Sequence, residues 1–356
     1  MNSKNFKLKG RGSSKKVNNK FAKNIIEPEI DIHSSETEEL LDPIKTQYIM
    51  THAKSLINTV ESPDIGFEYS ANPYQGCEHG CIYCYARNSH HYWDLDSGLS
   101  FETKILVKEN AVKILCDELN HPKWKVRPIM LSGNTDCYQP LERKFELTRN
   151  ILIKLLEFKH PVSIVTKNSL ILRDLDILKP LASLNLVSVA ISINGVDDEV
   201  RKKLEPRASH LDLRWKTARQ LVENGIPTYI LAAPMIPYIN THEIFDIVSM
   251  AKKCGVNDIY AMVVRLNGDL SGLFEEWLEQ HFPDRKDKVL NGIKSLHHGN
   301  LNASVFGERM RGSGPLADII MQQFKIGKQK VSFESKKFSH DCTLFVPPAG
   351  RQLELF

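Results

Sequence analysis

The chain has 356 residues, 42% of them apolar and 25% charged, with a net charge of +4. This composition buries a sizeable core and excludes a chain disordered throughout. No run of about 18 apolar residues is present, which excludes a membrane-spanning helix, and the first residues lack the apolar segment of a secretory signal, so a cytoplasmic protein with reduced cysteines is expected.

Charge is segregated at the start. From Met1 to Lys23 there are eight Lys or Arg residues and no acid, and from Glu27 to Asp42 seven acids and no Lys or Arg. The first block is poor in large apolar side chains, and residues 1–45 are expected to form a charged arm without fixed structure, its basic part either a solvated tail or a contact for phosphate. From Phe67 onward, short β-branched runs alternate with helix-period runs. Strands are predicted at Gly66–Tyr69, Arg127–Gly133, Pro161–Thr166, Leu186–Ile193, Thr228–Pro234 and Asp258–Val264. Leu147, Ile151, Leu152, Leu155 and Leu156 share one helix face, and 170–184 and 242–254 read the same way. Strict strand–helix alternation predicts an α/β fold with a parallel sheet and right-handed crossovers. Six units suit a partial TIM-type barrel over residues 46–266 better than a full eight-fold one. Leu273, Phe274, Trp277, Leu278 and Phe282, then Val289, Leu290, Ile293 and Leu296, then Ile319, Ile320 and Phe324 after Pro315, predict a helical extension over 267–340. Pro347, Pro348 and Gly350 set off an extended tail, 341–356.

The segment Asn72–Arg87, NPYQGCEHGCIYCYAR, carries the chemistry. Cys77, Cys81 and Cys84 stand in a C-x3-C-x2-C spacing. Three close thiolates can hold three irons of a [4Fe–4S] cluster and leave the fourth open to a substrate. Gly76 and Gly80 suit a loop that wraps tightly. A structural zinc site would want a fourth ligand, for which His79 is the candidate. Cys116, Cys254 and Cys342 read as structural. Polar residues follow the predicted strands: Thr135 and Asp136, Lys167, Ser192 and Asn194, and Arg265, where an α/β barrel places its site.

These residues resemble the radical S-adenosylmethionine (SAM) enzymes, with Tyr83 as the aromatic before the third cysteine. The sequence is most similar to the spore-photoproduct-lyase-like branch, and within it to a bacterial subgroup. The shared motifs are the cysteine segment, SGNTDxYQPLE at Ser132–Glu142, TKNxLILRDLD at Thr166–Asp176 and LEPRA at Leu204–Ala208. The resemblance implies a partial (β/α)6 barrel that binds a [4Fe–4S] cluster and SAM, cleaves SAM reductively and generates a 5′-deoxyadenosyl radical. It implies an electron donor such as flavodoxin or ferredoxin, and DNA repair or nucleic-acid modification as the task. RNA, protein or a small molecule as substrate, or a non-catalytic iron–sulfur sensor, are the alternatives. By the same resemblance, Thr135, Lys167 and Ser192 match SAM-contacting positions and Tyr83 the adenine-side aromatic, with Asp136, Asn194 and Arg207 as further cofactor-binding candidates. Arg207 is read either as an anion clamp or as a structural partner of Glu205 or another nearby acid. The cysteine that photoproduct lyases place before the strand-two aspartate falls at Gly133, and Cys137 is the candidate hydrogen donor instead. Finally, Gln352, Leu353, Leu355 and Phe356 resemble the peptide by which bacterial proteins dock on the DNA sliding clamp, two apolar anchors and a glutamine for a groove.

Overall fold

The computed structural model describes residues 10–13, 17 and 45–347. In chain order the strands are β1 Gln47–Thr51, β2 Ile57–Thr59, β3 Tyr69–Ala71, β4 Tyr74–Gln75 and β5 Lys104–Lys108. They continue with β6 Ile129–Leu131, β7 Val162–Thr166, β8 Val187–Ser192, β9 Thr228–Met235 and β10 Asp258–Val263. The six predicted strands are β3 and β6 to β10. They pair side by side in chain order, every pair parallel, with β2 added antiparallel on the β3 edge. This is the α/β partial barrel that the alternation predicts. Only the first strand shifts appreciably, beginning at Tyr69 rather than Gly66.

The reason lies in burial. Strands β7 and β8, VSIVT and VSVAIS, are buried on both faces, as a sheet covered by helices demands. Ile164, Val189, Ile191 and Ile230 meet the apolar faces of the helices Leu147–Glu157, Leu175–Ser183, Leu211–Glu223 and Ile244–Cys254 in one core. Each fully buried aliphatic chain there contributes roughly 1.5–3 kcal/mol of transfer free energy. The predicted C-terminal helices are Leu270–His281, Lys286–Leu296 and Pro315–Lys330. Ile320 and Phe324 of the last join the same core as Val248.

The sequence reading did not anticipate a second sheet, ordered β1–β5–β4. Its two-residue strand β4 lies inside the cysteine segment and pairs antiparallel with β5, Tyr74 opposite Val107 and Gln75 opposite Leu106. That pairing anchors the start of the cysteine loop.

The chain after the last helix crosses the N-terminal ends of the strands. Lys336 N donates to Asn257 O at 2.8 Å, Asp341 N to Asn185 O at 3.0 Å and Val346 N to Phe158 O at 3.1 Å. The opposite end carries the cysteine loop. Among the described residues, no helix is long and apolar enough to cross a membrane. The clamp-like residues Gln352, Leu353, Leu355 and Phe356 lie outside the described residues. Of the charged arm, residues 10–13 and 17 are described, and Gly12 and Ser13 hydrogen-bond to Glu102.

Candidate active site

The loop that follows β3 carries all three cysteines of the motif. Gly76 and Gly80 turn it with φ of +85° and +68°, a backbone that other residues rarely adopt. Cys77, Cys81 and Cys84 are unpaired thiols, the first two buried and the third half-buried. Burial, together with neighbouring Asp136 and the other thiols, pushes the Cys77 pKa well up, and burial pushes that of Cys81 up to about 12. Left empty, such thiols stay protonated, and a metal must displace their protons. The donor set suits a cluster better than a lone ion. Three thiols on one loop match the donor set of a cubane, which seats each thiolate on its own iron. His79, the fourth ligand a zinc site would want, is directed elsewhere. Its Nδ1 is 3.4 Å from Asp136 Oδ2 and its Nε2 3.4 Å from Asn168 Nδ2. Burial lowers its pKa to about 4, so the ring is neutral near pH 7.

The loop is laced to the strand ends by residues of the other motifs. Gln139, fully buried, donates to Gly76 O and accepts from Glu78 N, both at 2.9 Å. Thr135 Oγ1 donates to Tyr74 O at 2.7 Å. Asp136 accepts from Thr166 Oγ1 and Lys167 N, each at 2.8 Å, and from Tyr138 N at 2.9 Å. The carboxylate of Asp136 and the hydroxyl of Thr135 therefore bind protein groups, tying the ends of β6 and β7 to the loop.

Lys167 differs. Its ammonium donates no hydrogen bond among the described residues, yet it interacts electrostatically with Cys81, Glu205 and Asp136. Burial works to lower its pKa, and those charges more than offset it and hold the amine above its ordinary value. Asn194, just past β8, is buried with its Nδ2 unpartnered, and its carbonyl accepts from Asn240 at 2.7 Å. Ser192 ends β8, buried, with its hydroxyl 3.4 Å from Ala233 O. Among the described residues, a cation that donates no hydrogen bond, an unpartnered amide and three thiols thus share the C-terminal end of the sheet.

Two predicted residues occupy other surroundings. Arg207 points to the loop itself, with NH2 3.4 Å from Glu78 Oε1 and its backbone N donating to His79 O. Cys137 is fully buried within the main core, its N donating to Ser132 Oγ at 2.8 Å and its carbonyl accepting from Thr148. At Gly133 there is no room for a side chain: a Cβ would stand 2.8 Å from Ser70 Cβ.

The sequence reading missed Arg214 and Tyr85, and it named Glu205 only as a partner of Arg207. Glu205 and Arg214, both fully buried, form an ion pair behind the loop. Arg214 also donates to Ser192 O at 3.0 Å and Ser209 O at 2.8 Å, while the Tyr83 hydroxyl donates to Glu205. Burial alone would raise the Glu205 pKa, but Arg214 and Lys167 overcome it and hold the carboxyl below its usual value. Tyr83, predicted to line the adenine side, is thereby fixed by its hydroxyl. The more exposed aromatic is Tyr85, which donates to Gly133 O and lies 5.8 Å beneath the Arg265 guanidinium. Glu205 sits within LEPRA, and Tyr85 directly follows Cys84, so both stood inside quoted motifs. Arg214 carried no sequence signal.

The profile of the radical SAM superfamily matches residues 71–251. An uncharacterized protein of Methanocaldococcus jannaschii is 32% identical over 247 residues, 69% of this chain and 88% of its own. An uncharacterized protein of Mycobacterium tuberculosis (strain ATCC 25618 / H37Rv) is 30% identical over 234 residues, 65% of this chain and 69% of its own. Among solved structures, spore photoproduct lyase complexed with dinucleoside spore photoproduct superposes with a TM-score of 0.58 at 14% identity over 81% of both chains. A mutant of that lyase with bound AdoMet and dinucleoside spore photoproduct gives 0.58 at 15% over 82% of both. At such identities the likeness is one of fold.

Proposed function

Because the chain belongs to the radical SAM superfamily, whose members use a [4Fe–4S] cluster and SAM, we propose that it is an enzyme cleaving SAM reductively at a cluster held by Cys77, Cys81 and Cys84, and acting on DNA or a nucleic-acid component. The observation that carries this reading is the meeting of three unpaired thiols, an unbonded Lys167 ammonium and the unpartnered Asn194 amide at one end of the sheet.

When bound, the cluster supplies the electron that breaks the sulfonium C5′–S bond of SAM, leaving the 5′-deoxyadenosyl radical to take a hydrogen atom from substrate. Lys167 holds the SAM carboxylate, a charge-assisted bond that the buried setting strengthens. Asn194 Nδ2 donates to a ribose hydroxyl, ending its lack of a partner. Ser192 offers its hydroxyl beside it, and Tyr83 walls the adenine side. Thr135, Asp136 and Gln139 hold the loop in register with the strands, and Arg207 steadies Glu78 beside Cys77. The loop and the barrel together keep water from the radical.

The substrate assignment draws support from the fold shared with a lyase crystallised with its dinucleoside photoproduct and from the eight basic residues of Met1–Lys23. The reaction differs from that lyase's at one point: Ser70 fills the space that a thiol at position 133 would need, so the substrate radical is quenched from another source. A tail ending Gln352-Leu353-Glu354-Leu355-Phe356 would bring the enzyme to a sliding clamp, and its deletion should abolish clamp pull-down. Electrons come from flavodoxin or ferredoxin.

The test is 5′-deoxyadenosine formation by anaerobically reconstituted, reduced protein. Formation that requires the three cysteines and rises on adding DNA is expected. A fully loaded cluster that binds no SAM would refute the enzyme reading. Stimulation by RNA, peptide or a small molecule but not by DNA would move the substrate.

A further inference from the structure

The segment Arg11–Ser13 comes from the basic arm yet sits against the cysteine loop. Gly12 N donates to Glu102 Oε2 and Ser13 N to Glu102 Oε1, each at 2.9 Å, and the Arg11 guanidinium donates to Glu102 O at 2.9 Å. Glu102 is fully buried, and its carboxylate also takes Arg87. Arg87, itself fully buried, donates through Nε to the Cys81 carbonyl at 2.9 Å. The arm thus reaches a cysteine of the loop through two side chains.

Direct contact is closer still. A Cβ on Gly12 would stand 1.7 Å from the Gly80 carbonyl oxygen, and one on Gly80 would stand 2.7 Å from Glu102 Oε2. Only a glycine lets the two backbones approach this far. Farther along the arm, Val17 packs on the apolar group that includes Ile82, Leu204 and Trp277. Gly80 directly precedes Cys81, so the arm touches the loop beside that thiol.

We propose that Arg11, Gly12 and Ser13 form a strap that completes the wall of the loop around Cys81, holding it closed over the cluster and keeping solvent and dioxygen from that edge. The two backbone N–H groups satisfy a carboxylate that lies wholly inside the protein. Lifting the strap leaves Glu102 with Arg87 as its one side-chain partner, and water must enter beside Cys81 to hydrate it. The strap's role rests on the cluster ligation proposed above, whereas its docking does not.

Two variants of the full chain test this: Gly12→Val, which drives a side chain into the Gly80 carbonyl, and deletion of residues 1–13. The first readout needs no cluster. Trypsin must open the strap to cut the Arg11–Gly12 bond, so Gly12→Val should be cleaved there on the order of tenfold faster than wild type or more. The second is the lifetime of the cluster's visible absorbance in air, expected to shorten in both variants. A peptide of residues 5–18 added to the deletion variant should lengthen it again. Equal trypsin rates overturn the docking. Faster cleavage with unchanged iron content and cluster lifetime overturns the protective role. If the deletion variant does not fold, Gly12→Val decides alone. A Cys77/Cys81/Cys84→Ala variant that still loads a cluster overturns the ligand assignment, and with it the strap's role but not its docking.

Discussion

Replacing Arg214 by Met should destabilise the protein severely, and replacing Glu205 as well should not add the full cost of the second change. Arg214 and Glu205 are both fully buried. Losing the guanidinium strips a buried carboxylate of its hydrogen-bonded cation, leaving Lys167 as a second charge near it, and takes a donor from the carbonyls of Ser192 and Ser209. Breaking a buried pair from one side costs about 3–5 kcal/mol. The double variant Glu205→Leu/Arg214→Met removes the stranded charge but still takes that donor from the two carbonyls and leaves the Tyr83 hydroxyl unpaired, so recovery is partial. A coupling energy of about 2 kcal/mol or more is expected between the two sites. The acid limb follows from the same pair. The Glu205 pKa lies below its usual value of 4.5. Its stabilisation is therefore complete above the unfolded carboxyl's pKa and is lost as pH falls through the lower folded value. The double variant should lose that part of the acid sensitivity. Anaerobic urea unfolding, followed by tryptophan fluorescence and circular dichroism with coincident transitions, measures all of this. Additivity of the two single changes within about 0.5 kcal/mol would refute the reasoning.

Two other changes separate framework from ligand contact. Gln139→Ala removes two hydrogen bonds to the loop, one donated to Gly76 O and one accepted from Glu78 N, and leaves buried backbone groups unpaired at about 1–3 kcal/mol each. Iron content after reconstitution should fall while SAM affinity per loaded cluster stays; unchanged iron content would contradict the bracing role. Lys167→Met should do the opposite, keeping the cluster and weakening SAM binding on the order of tenfold or more, as expected for one lost charge-assisted bond. Isothermal titration with a loaded cluster checks it, and wild-type affinity would remove Lys167 from the SAM site.

The barrel was legible because its strands announce themselves. Runs such as VSIVT and LVSVAISI are β-branched, short and buried on both faces, and each is followed by a helix of clear period. The small sheet left a fainter mark, since of its three strands only β5, KILVK, is a short buried apolar run. Strand β4 has two residues, and β1 is largely exposed, so neither shows an apolar pattern. The cysteine motif was legible from spacing alone, since its three thiols stand close together in sequence. Which acid Arg207 takes, and which arginine Glu205 takes, were not. Arg207 is the nearer arginine in sequence, yet it turns to Glu78, and Glu205 pairs with Arg214 across the turn into the next helix. Proximity along the chain says little about which of two arginines a buried acid selects.

The arm shows the same limit from the other side. Composition averages over Met1–Lys23, and the average is basic, glycine- and serine-bearing and poor in apolar anchors, which is the signature of a solvated chain. What seats Arg11–Ser13 is not side-chain hydrophobicity. Two backbone N–H groups meet one buried carboxylate, and a missing Cβ permits the approach to Gly80. Every non-proline residue carries an N–H, so the donor side of this contact leaves no trace in composition. The acceptor side does leave one. A fully buried glutamate such as Glu102 needs more partners than one arginine supplies. Once the fold buries an acid beside the cysteine loop, the missing donors must come from some other part of the chain.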